Sequence, residues 1–410
     1  MIAAASGTAA PAARWRTVTA LGSAQTLSWA STYYLPGVLA TPMAREIGVP
    51  VPTVHLAFSL ALIVSALVGP AAGRAIDRHG GRPVLLGTNV LFALSLTALA
   101  CAQGPWGLFA AWVLIGLGMG SGLYEAAFAS LVRLYGQDSR NPITGITLIA
   151  GFASTVGWPL SAWMETQWGW RGACLGWAAL HLVLGIPLNL IVPKASQHTL
   201  RQDHLGSTGN PSTEAAAPAV GNGPGTLRTA VLLSLVFALV WFVSTAMATH
   251  LPALLQAGGA TLAAAVAVGA LVGPAQVAGR LLEFGVLRRI HPLLSARLAG
   301  LAHPVGVAVL MVLGGPGAAA FAVLHGAGNG IMTIAKGTLP LVLFGPQGYG
   351  ARQGWLMMPA RVSQALAPVL FGLALERWGA QALWLSAGLG LLAFAALLAI
   401  RPQRTTSAPP

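Results

Sequence analysis

Apolar segments of roughly twenty residues recur along the whole chain, with few charges between them. A helix of about 20 apolar residues spans the hydrocarbon core of a bilayer. Only 8% of the 410 residues are charged, against about 25% in soluble globular proteins, so the chain lacks the polar surface that water requires. The sequence therefore predicts an all-α membrane protein with twelve transmembrane helices, over residues 17–40, 53–73, 83–102, 107–131, 142–164, 172–193, 228–254, 261–284, 293–314, 318–343, 354–375 and 380–400.

A polar stretch from Lys194 to Thr226 divides these segments six and six. It is rich in Gly, Ser, Thr, Pro and His and has no apolar periodicity, which is typical of a flexible linker. The predicted organisation is an N-terminal six-helix bundle, a cytoplasmic linker, a C-terminal six-helix bundle and a cytoplasmic tail, over residues 1–193, 194–227, 228–401 and 402–410.

The basic residues are unequally shared between the two sides of the membrane. If the N-terminus lies inside, the outer loops hold only Arg45, Arg171 and Arg377. The inner loops hold Arg14, Arg16, Arg74, Arg78, Arg82, Arg133, Arg140, Lys194, Arg201, Arg228, Arg288, Arg289, Arg297, Arg352, Arg401 and Arg404. Cytoplasmic loops carry such an excess, so we expect both termini in the cytoplasm and the chain in the inner membrane. This explains the net charge of +13 without a nucleic-acid partner.

Two short motifs repeat in register between the halves. The stretch Ser154–Pro159 precedes Trp168-Gly169 as Ser363–Pro368 precedes Trp378-Gly379, and Val68-Gly69-Pro70 recurs as Val272-Gly273-Pro274. These matches predict two pseudo-symmetric bundles. A duplication of this kind places the substrate site between the halves, near the middle of the membrane.

The most charged ten residues between two predicted helices are 73–82. Their pattern, Gly-x-x-x-Asp-Arg-x-Gly-x-Arg, resembles the loop between helices 2 and 3 of major facilitator superfamily transporters. The twelve segments, the central linker and the internal repeat also resemble the organisation of that superfamily. The resemblance implies the major facilitator fold, with secondary transport by alternating access and no cofactor. The second half holds a degraded copy, either at 285–289 or in the register 279–283, and the sequence leaves both open.

The resemblance also assigns roles within this loop, which we call the gating motif. It implies that Asp77 pairs with the end of a neighbouring helix and holds the outward-open form. Arg78 and Arg82 would close the intracellular face. Gly73 would permit close helix packing, and Gly80 completes the motif.

Within the superfamily, the chain looks closest to the monocarboxylate and oxalate–formate transporters. Helix 1 carries Ser28–Gly37, helix 8 ends near Arg280 and helix 11 carries Arg361. The resemblance implies an organic-anion substrate such as a monocarboxylate, carried by symport. The monocarboxylate carriers have an Asp one turn before the helix 8 Arg, where this chain has Gln276, which puts that route of proton coupling in doubt.

Four ionisable residues fall inside predicted helices: Glu125, Arg280, Lys336 and Arg361. Charges in the membrane are costly and face a partner or the substrate path. Glu125 is interpreted as a proton-coupling site or as one half of a structural ion pair, with Lys336 as its partner. Arg280 and Arg361 are interpreted as ligands of a substrate carboxylate, because guanidinium groups bind carboxylates through two parallel hydrogen bonds. For Arg280, a place in the cytoplasmic gate is the alternative.

The resemblance implies that helices 1, 4, 7 and 10 line the central cavity. Their polar side chains are further candidates for substrate contact, although packing explains each one singly: Tyr33, Tyr34, His325 and Asn329 among the predicted substrate-binding residues, and Trp241 and His250 beside them.

Two functions remain open on this sequence. Three intramembrane cations against one acid favour a carrier of a small organic anion, coupled to protons and acting as a monomer. The alternative is a proton-antiport exporter of drugs or toxic compounds, including metalloids, with Glu125 as its acid. We expect no enzyme, because no nucleophile–base set, ATP-binding loop or metal-ligand spacing occurs, and Cys101 and Cys174 are isolated.

Overall fold

The computed structural model describes residues 11–194 and 224–400, and over these ranges the chain forms helices and short connections. The helices of the first range are α1 Pro11–Ala30, α2 Pro36–Ile47, α3 Val51–His79, α4 Gly81–Ala100, α5 Pro105–Gly122, α6 Tyr124–Tyr135, α7 Arg140–Ala150, α8 Ala153–Leu180 and α9 Ile186–Ile191. Those of the second are α10 Pro224–Ala257, α11 Leu262–Ala270, α12 Val272–Gly285, α13 Pro292–Leu313, α14 Ala318–Phe344, α15 Tyr349–Trp378 and α16 Ala382–Ala399.

Seven helical stretches of the described residues are long and apolar enough to cross a membrane. They lie over Val51–His79, Gly81–Ala100, Pro105–Ile191, Thr226–Ala257, Pro292–Leu313, Gly315–Phe344 and Tyr349–Ala399. These stretches take in or overlap every predicted segment except 17–40 and 261–284. Both exceptions contain a break in the helix, which shortens the continuous apolar run.

Several predicted membrane helices are interrupted, which the apolar pattern did not indicate. The first is broken between Ala30 and Pro36, where the turn carries Tyr33 and Tyr34. The fourth is broken at Leu123, whose extended backbone separates α5 from α6. Broken membrane helices occur where the freed backbone lines a cavity or is buried in protein, so these breaks mark the interior of the molecule.

The Trp-Gly pairs of the internal repeat have a backbone reason. Gly169 reverses the chain within α8 at a φ of 70°, and Gly379 ends α15 at a φ of 54°. Both values lie in the left-handed region that glycine adopts without strain. The repeat therefore conserves a helix-ending turn at equivalent places in the two halves.

The predicted linker and tail fall largely outside the described residues. Helix α10 begins at Pro224, within the range assigned to the linker. Residues 195–223 and the tail 402–410 are not described by the structure.

The apolar core differs between the halves. In the N-terminal half, one cluster extends from Val18 through Trp112 to Trp177. In the C-terminal half, there are two clusters, one around Phe237 and Leu339 and the other around Phe321 and Phe371.

Candidate functional site

A buried ion-pair cluster joins the two halves. Glu125 lies in the first turn of α6, directly after the break at Leu123. One of its carboxylate oxygens is 3.1 Å from Lys336 Nζ on α14, and the other is 2.8 Å from an Arg361 nitrogen on α15. The Lys336 and Arg361 side chains are 1% and 3% exposed, so Glu125 is shared by two cations that water does not solvate and balances the charge of one of them. We call these three residues the central cluster.

Aromatic rings surround the cations of this cluster. The Lys336 ammonium lies 5.0 Å from the ring centres of Tyr124 and Trp241 and 5.9 Å from that of Trp29. The Arg361 guanidinium lies 5.8 Å from the same Trp29 ring. Cations within about 6 Å of a ring face are stabilised by its quadrupole. The rings therefore give Lys336 a favourable environment that does not depend on Glu125.

Arg280 is a buried cation that lacks an acidic partner among the described residues. Its side chain crosses from α12 to the other half, where it donates to the Thr147 carbonyl at 3.4 Å. Its Nε has no hydrogen-bond acceptor. The guanidinium fits beside Gly151, where any side chain would overlap it. A guanidinium in this state has free donors for an incoming carboxylate.

The two tyrosines predicted for the site lie in the broken part of helix 1. The Tyr33 ring packs 5.1 Å from that of Trp29, and its hydroxyl accepts from Gln364 at 3.5 Å. Gln364 also accepts from Arg361 at 3.2 Å. Tyr34 packs edge-on against Trp158 at 5.8 Å. The structure thus brings Tyr33 to the central cluster through Gln364, while Tyr34 borders it as an aromatic wall.

His325 and Asn329 lie elsewhere. Both line a small cavity inside the C-terminal bundle together with Ser244 and His303. His325 contacts His303 through their Nδ1 atoms, 3.0 Å apart. Both were predicted to contact the substrate because helix 10 lines the central cavity in this fold; the structure does not bring them to the central cluster, and their contact with substrate stays a prediction.

The halves also meet through glycines at the end of the molecule that carries the gating motif, called here the basic face. Gly73 of α3 packs on the Gly350 backbone of α15, and Gly354 packs on the backbone of Gly69 and Pro70. A Cβ on Gly73 or Gly354 would overlap the opposite main chain. Two glycines four residues apart on each helix permit this close approach.

Asp77 extends the same contact. Its two carboxylate oxygens accept from the backbone N–H groups of Gly350 and Ala351, each at 2.9 Å. These N–H groups belong to the first turn of α15, where the helix dipole favours a negative charge. Asp77 therefore holds the start of a C-terminal helix against the N-terminal half.

The remaining gating-motif residues shape the turn between α3 and α4. Gly80 ends α3 at a φ of 81°, a value that favours glycine. Arg78 is exposed and Arg82 is half-buried at the basic face. Their predicted closing of this face remains a prediction.

A second link between the halves at the basic face was not predicted. Arg140, at the start of α7, pairs with Glu283 of α12 at 2.9 Å and donates to the carbonyls of Leu287 and Ile290. The sequence predicts only that Arg140 is one of the basic residues of the inner loops. Nothing in its local pattern indicates a partner more than a hundred residues away. With the glycine contact, this pair holds the basic face closed.

Other contributors to the site were missed for a related reason. From the sequence alone, Trp29, Tyr124 and Gln364 are indistinguishable from packing residues, because their contacts with Lys336 and Arg361 appear only in the structure. Gly350 and Gly354 do show the four-residue spacing in the sequence, and that spacing was the available signal. Among the described residues, no group of three or more His, Cys, Asp or Glu side chains is arranged to hold a metal ion.

At the end of the N-terminal bundle opposite the basic face, and outside the membrane-spanning part, an exposed ion pair joins neighbouring segments of the chain. Arg171 donates to Glu46 at 2.7 Å and to the carbonyls of Ala100 and Ala102. The hydrogen bond from Arg171 lowers the pKa of the Glu46 carboxyl below its ordinary value.

Comparison with known proteins gives a consistent picture. The family model described as Major Facilitator Superfamily matches residues 21–335. An uncharacterized 38 kDa protein in the 23S RNA operon of Thermoproteus tenax is 30% identical, with 89% of this chain and 90% of that protein covered.

Some relatives have names that state a substrate, and two of them cover most of this chain. A gentisate transporter of Corynebacterium glutamicum is 25% identical over 83% of this chain and 76% of that protein. A gallate transporter of Pseudomonas putida is 26% identical over 89% of this chain and 86% of that protein.

The fold is shared with a solved structure of low sequence identity. The proton:xylose symporter XylE bound to 6-bromo-6-deoxy-D-glucose superposes with a TM-score of 0.75 at 14% identity, with 95% of this chain and 96% of that chain covered. The predicted all-α fold is thereby confirmed.

Proposed function

We propose, from the premise that the chain belongs to the major facilitator superfamily, that it carries a small organic anion across the membrane together with a proton. The chain is a membrane-spanning transporter and not an enzyme. The proposal concerns the cargo and the coupling. We further propose that it acts as a monomer in the inner membrane with both termini in the cytoplasm, as the distribution of basic residues predicts.

The observation that carries the proposal is the excess of buried positive charge. Arg280, Lys336 and Arg361 are buried cations, and Glu125 is the carboxylate that pairs with Lys336 and Arg361. Buried cations without a counter-ion are unfavourable, so the site gains more from binding an anion than from binding a cation. An exporter of cationic drugs would need the reverse balance.

Proton coupling follows from the sharing of Glu125. While Glu125 is ionised, it forms an ion pair with Arg361, and a substrate carboxylate has to compete with Glu125 for that guanidinium. When a proton binds Glu125, the carboxylate loses its charge, and Arg361 becomes free to bind the substrate through two hydrogen bonds. The proton and the anion therefore favour each other's binding, and together they leave the net charge of the site unchanged.

The aromatic wall favours an aromatic acid over a short aliphatic one. Trp29, Tyr33, Tyr34 and Tyr124 form a continuous set of ring contacts at 4.9 to 6.3 Å. Gentisate and gallate, named for two relatives, are hydroxylated aromatic carboxylates, and ring stacking would suit them. We therefore propose a hydroxylated aromatic monocarboxylate as cargo, rather than oxalate or formate.

Thermal-shift binding on the purified protein tests the cargo. We expect gentisate or gallate to raise the melting temperature more than lactate, formate or oxalate does. Arg361→Ala and Arg280→Gln should each reduce or abolish the shift. Arg377→Gln, at the exposed end of α15, is the matched control and should keep it.

The alternative cargoes are tested in the same assay. Stabilisation by a cationic dye or by arsenite, with none by any carboxylate, would contradict the proposal and favour the exporter. A carboxylate shift that survives both arginine variants would place the anion away from this cluster.

A further inference from the structure

A chain of buried hydrogen bonds runs through the C-terminal bundle and ends on an open nitrogen. His303 Nε2 lies 3.0 Å from the Ser386 hydroxyl, and His303 Nδ1 lies 3.0 Å from His325 Nδ1. His303 and His325 are 8% and 5% exposed. The direction of each bond can be assigned from its neighbour.

The hydrogen bonds of Ser386 determine the direction of the first bond in this chain. The Ser386 hydroxyl donates to the Leu383 carbonyl at 2.8 Å and has no second proton, so it must accept from His303 Nε2. A neutral His303 then has a bare Nδ1, which accepts from the Nδ1–H of His325. This leaves His325 with a lone pair on Nε2.

A charged His303 would reverse the last bond, but the surroundings oppose it. The described side chains that face this pair from α10, α14 and α16 are serines, Asn329 and apolar residues. No carboxylate is among them. A cation in this interior would lack a counter-ion, so the neutral chain is favoured.

His325 lines the small cavity of the C-terminal bundle described above. The cavity has a volume of about 30 Å³ and is lined by His325, Ser244 and Asn329. No hydrogen bond to a described residue is made by the His325 Nε2, by the Ser244 hydroxyl or by the Asn329 amide. His325 is buried and the Ser244 and Asn329 side chains are half-buried, so water is the partner left for their polar atoms at this cavity. A water needs roughly 10–15 Å³ and two to four polar partners.

We infer that this cavity is a hydration site that binds one or two water molecules, with one water donating to His325 Nε2 and bonding to Ser244 and Asn329. Residues of both apolar clusters of the C-terminal half line the site, Val243 of one and Ala299 and Met332 of the other. Its walls α10 and α14 also carry Trp241 and Lys336.

A double-mutant cycle tests the water bridge. Ser244 and His325 lie on different helices and share no direct hydrogen bond. We expect Ser244→Ala to lower the melting temperature of the purified protein by a few degrees, and to have a much smaller effect in a His325→Phe background. Pairing His325→Phe with Asn89→Leu, in the other bundle, is the control and should be additive.

Additive effects of Ser244→Ala and His325→Phe would overturn the inference. An experimental density map of the wild-type protein is the second measurement. It does not depend on whether the variants fold. A water within hydrogen-bond distance of His325 Nε2 is expected there. An empty cavity, or the Asn329 amide turned onto that nitrogen, would contradict it. Stabilisation by Zn²⁺ that disappears in His325→Phe would show a metal site instead.

Discussion

The two bundles solve the same problem of a buried histidine in different ways. In the N-terminal bundle, His181 donates from Nδ1 to the Asn89 side-chain oxygen at 2.9 Å and accepts at Nε2 from Ser31 at 2.8 Å. Both nitrogens are satisfied by protein, and the apolar core around them is continuous. In the C-terminal bundle, the chain of histidines ends on a nitrogen that has no protein partner among the described residues, and the core forms two clusters.

The charges follow the same division. The N-terminal half supplies the central acid, Glu125, and most of the aromatic wall. The C-terminal half supplies Lys336, Arg361 and Arg280. The proposed proton site and the proposed anion-binding groups thus lie on opposite halves, so that binding of either ligand changes how strongly the halves attract one another.

The largest effect is expected from removing the one central acid. Glu125→Gln cannot take up a proton and leaves Arg361 permanently free for the anion. Proton-driven accumulation of gentisate in proteoliposomes should be abolished, while exchange of internal for external gentisate persists. The exposed Glu376→Gln is the control and should accumulate normally. Loss of both exchange and binding in Glu125→Gln would make Glu125 a structural residue.

The next effect concerns the glycine contact that joins the bundles. Gly73→Ala places a methyl group against the Gly350 backbone, and overpacking of this kind costs about 1–3 kcal/mol. The basic face should open, which spin-label distances between the ends of α3 and α15 would show as a population at longer separation. Gly87→Ala meets nothing within 4 Å and should leave the distances unchanged. Unchanged distances in Gly73→Ala would show that this contact does not hold the face closed.

A smaller effect is expected from Asp77→Asn. The amide keeps an acceptor for one of the two N–H groups of α15 but loses the charge that the helix start favours. Transport should slow several-fold while gentisate binding is retained, as initial uptake rates and thermal shifts would show. Asp138→Asn, at an exposed pair with Arg14, is the control. Full-rate transport by Asp77→Asn would remove the support for its role in gating.

The smallest effect concerns the opposite face of the N-terminal bundle. Because the pKa of Glu46 is lowered in the folded protein, its pair with Arg171 stabilises at neutral pH and is lost as the pH falls through that lowered value. Exposed pairs contribute about 0–1 kcal/mol. Glu46→Gln should therefore shift the melting temperature only slightly at pH 7 and not at all in acid. A larger shift in acid than at pH 7 would contradict this sign.

The sequence was most informative where a residue type is costly in lipid. Glu125, Lys336 and Arg361 stood out because charges inside apolar segments need a reason, and the gating motif stood out by its pattern. The helix breaks at Ser31–Leu35 and Leu123 did not, because an apolar run looks alike whether or not its helix is continuous. Helical register indicates the helix but not the direction in which each side chain points, so it did not show that His325 and Asn329 line the cavity inside the C-terminal bundle; their role in substrate binding stays a prediction.

Contacts between distant segments were beyond the reach of one sequence. The pairing of Arg140 with Glu283, and the chain from Ser386 to His325, each depend on how helices from different parts of the chain pack together. No local pattern distinguishes His325 from a histidine such as His181, whose nitrogens both have protein partners.

The most direct test of the account is the number of protons taken up with each anion. Calorimetric titration of gentisate into the purified protein, in two buffers of different ionisation enthalpy, measures it. The account predicts close to one proton taken up per gentisate by the wild type at a pH where Glu125 is ionised, and none by Glu125→Gln, which still binds. Binding without proton uptake by the wild type, or equal uptake by both proteins, would contradict it.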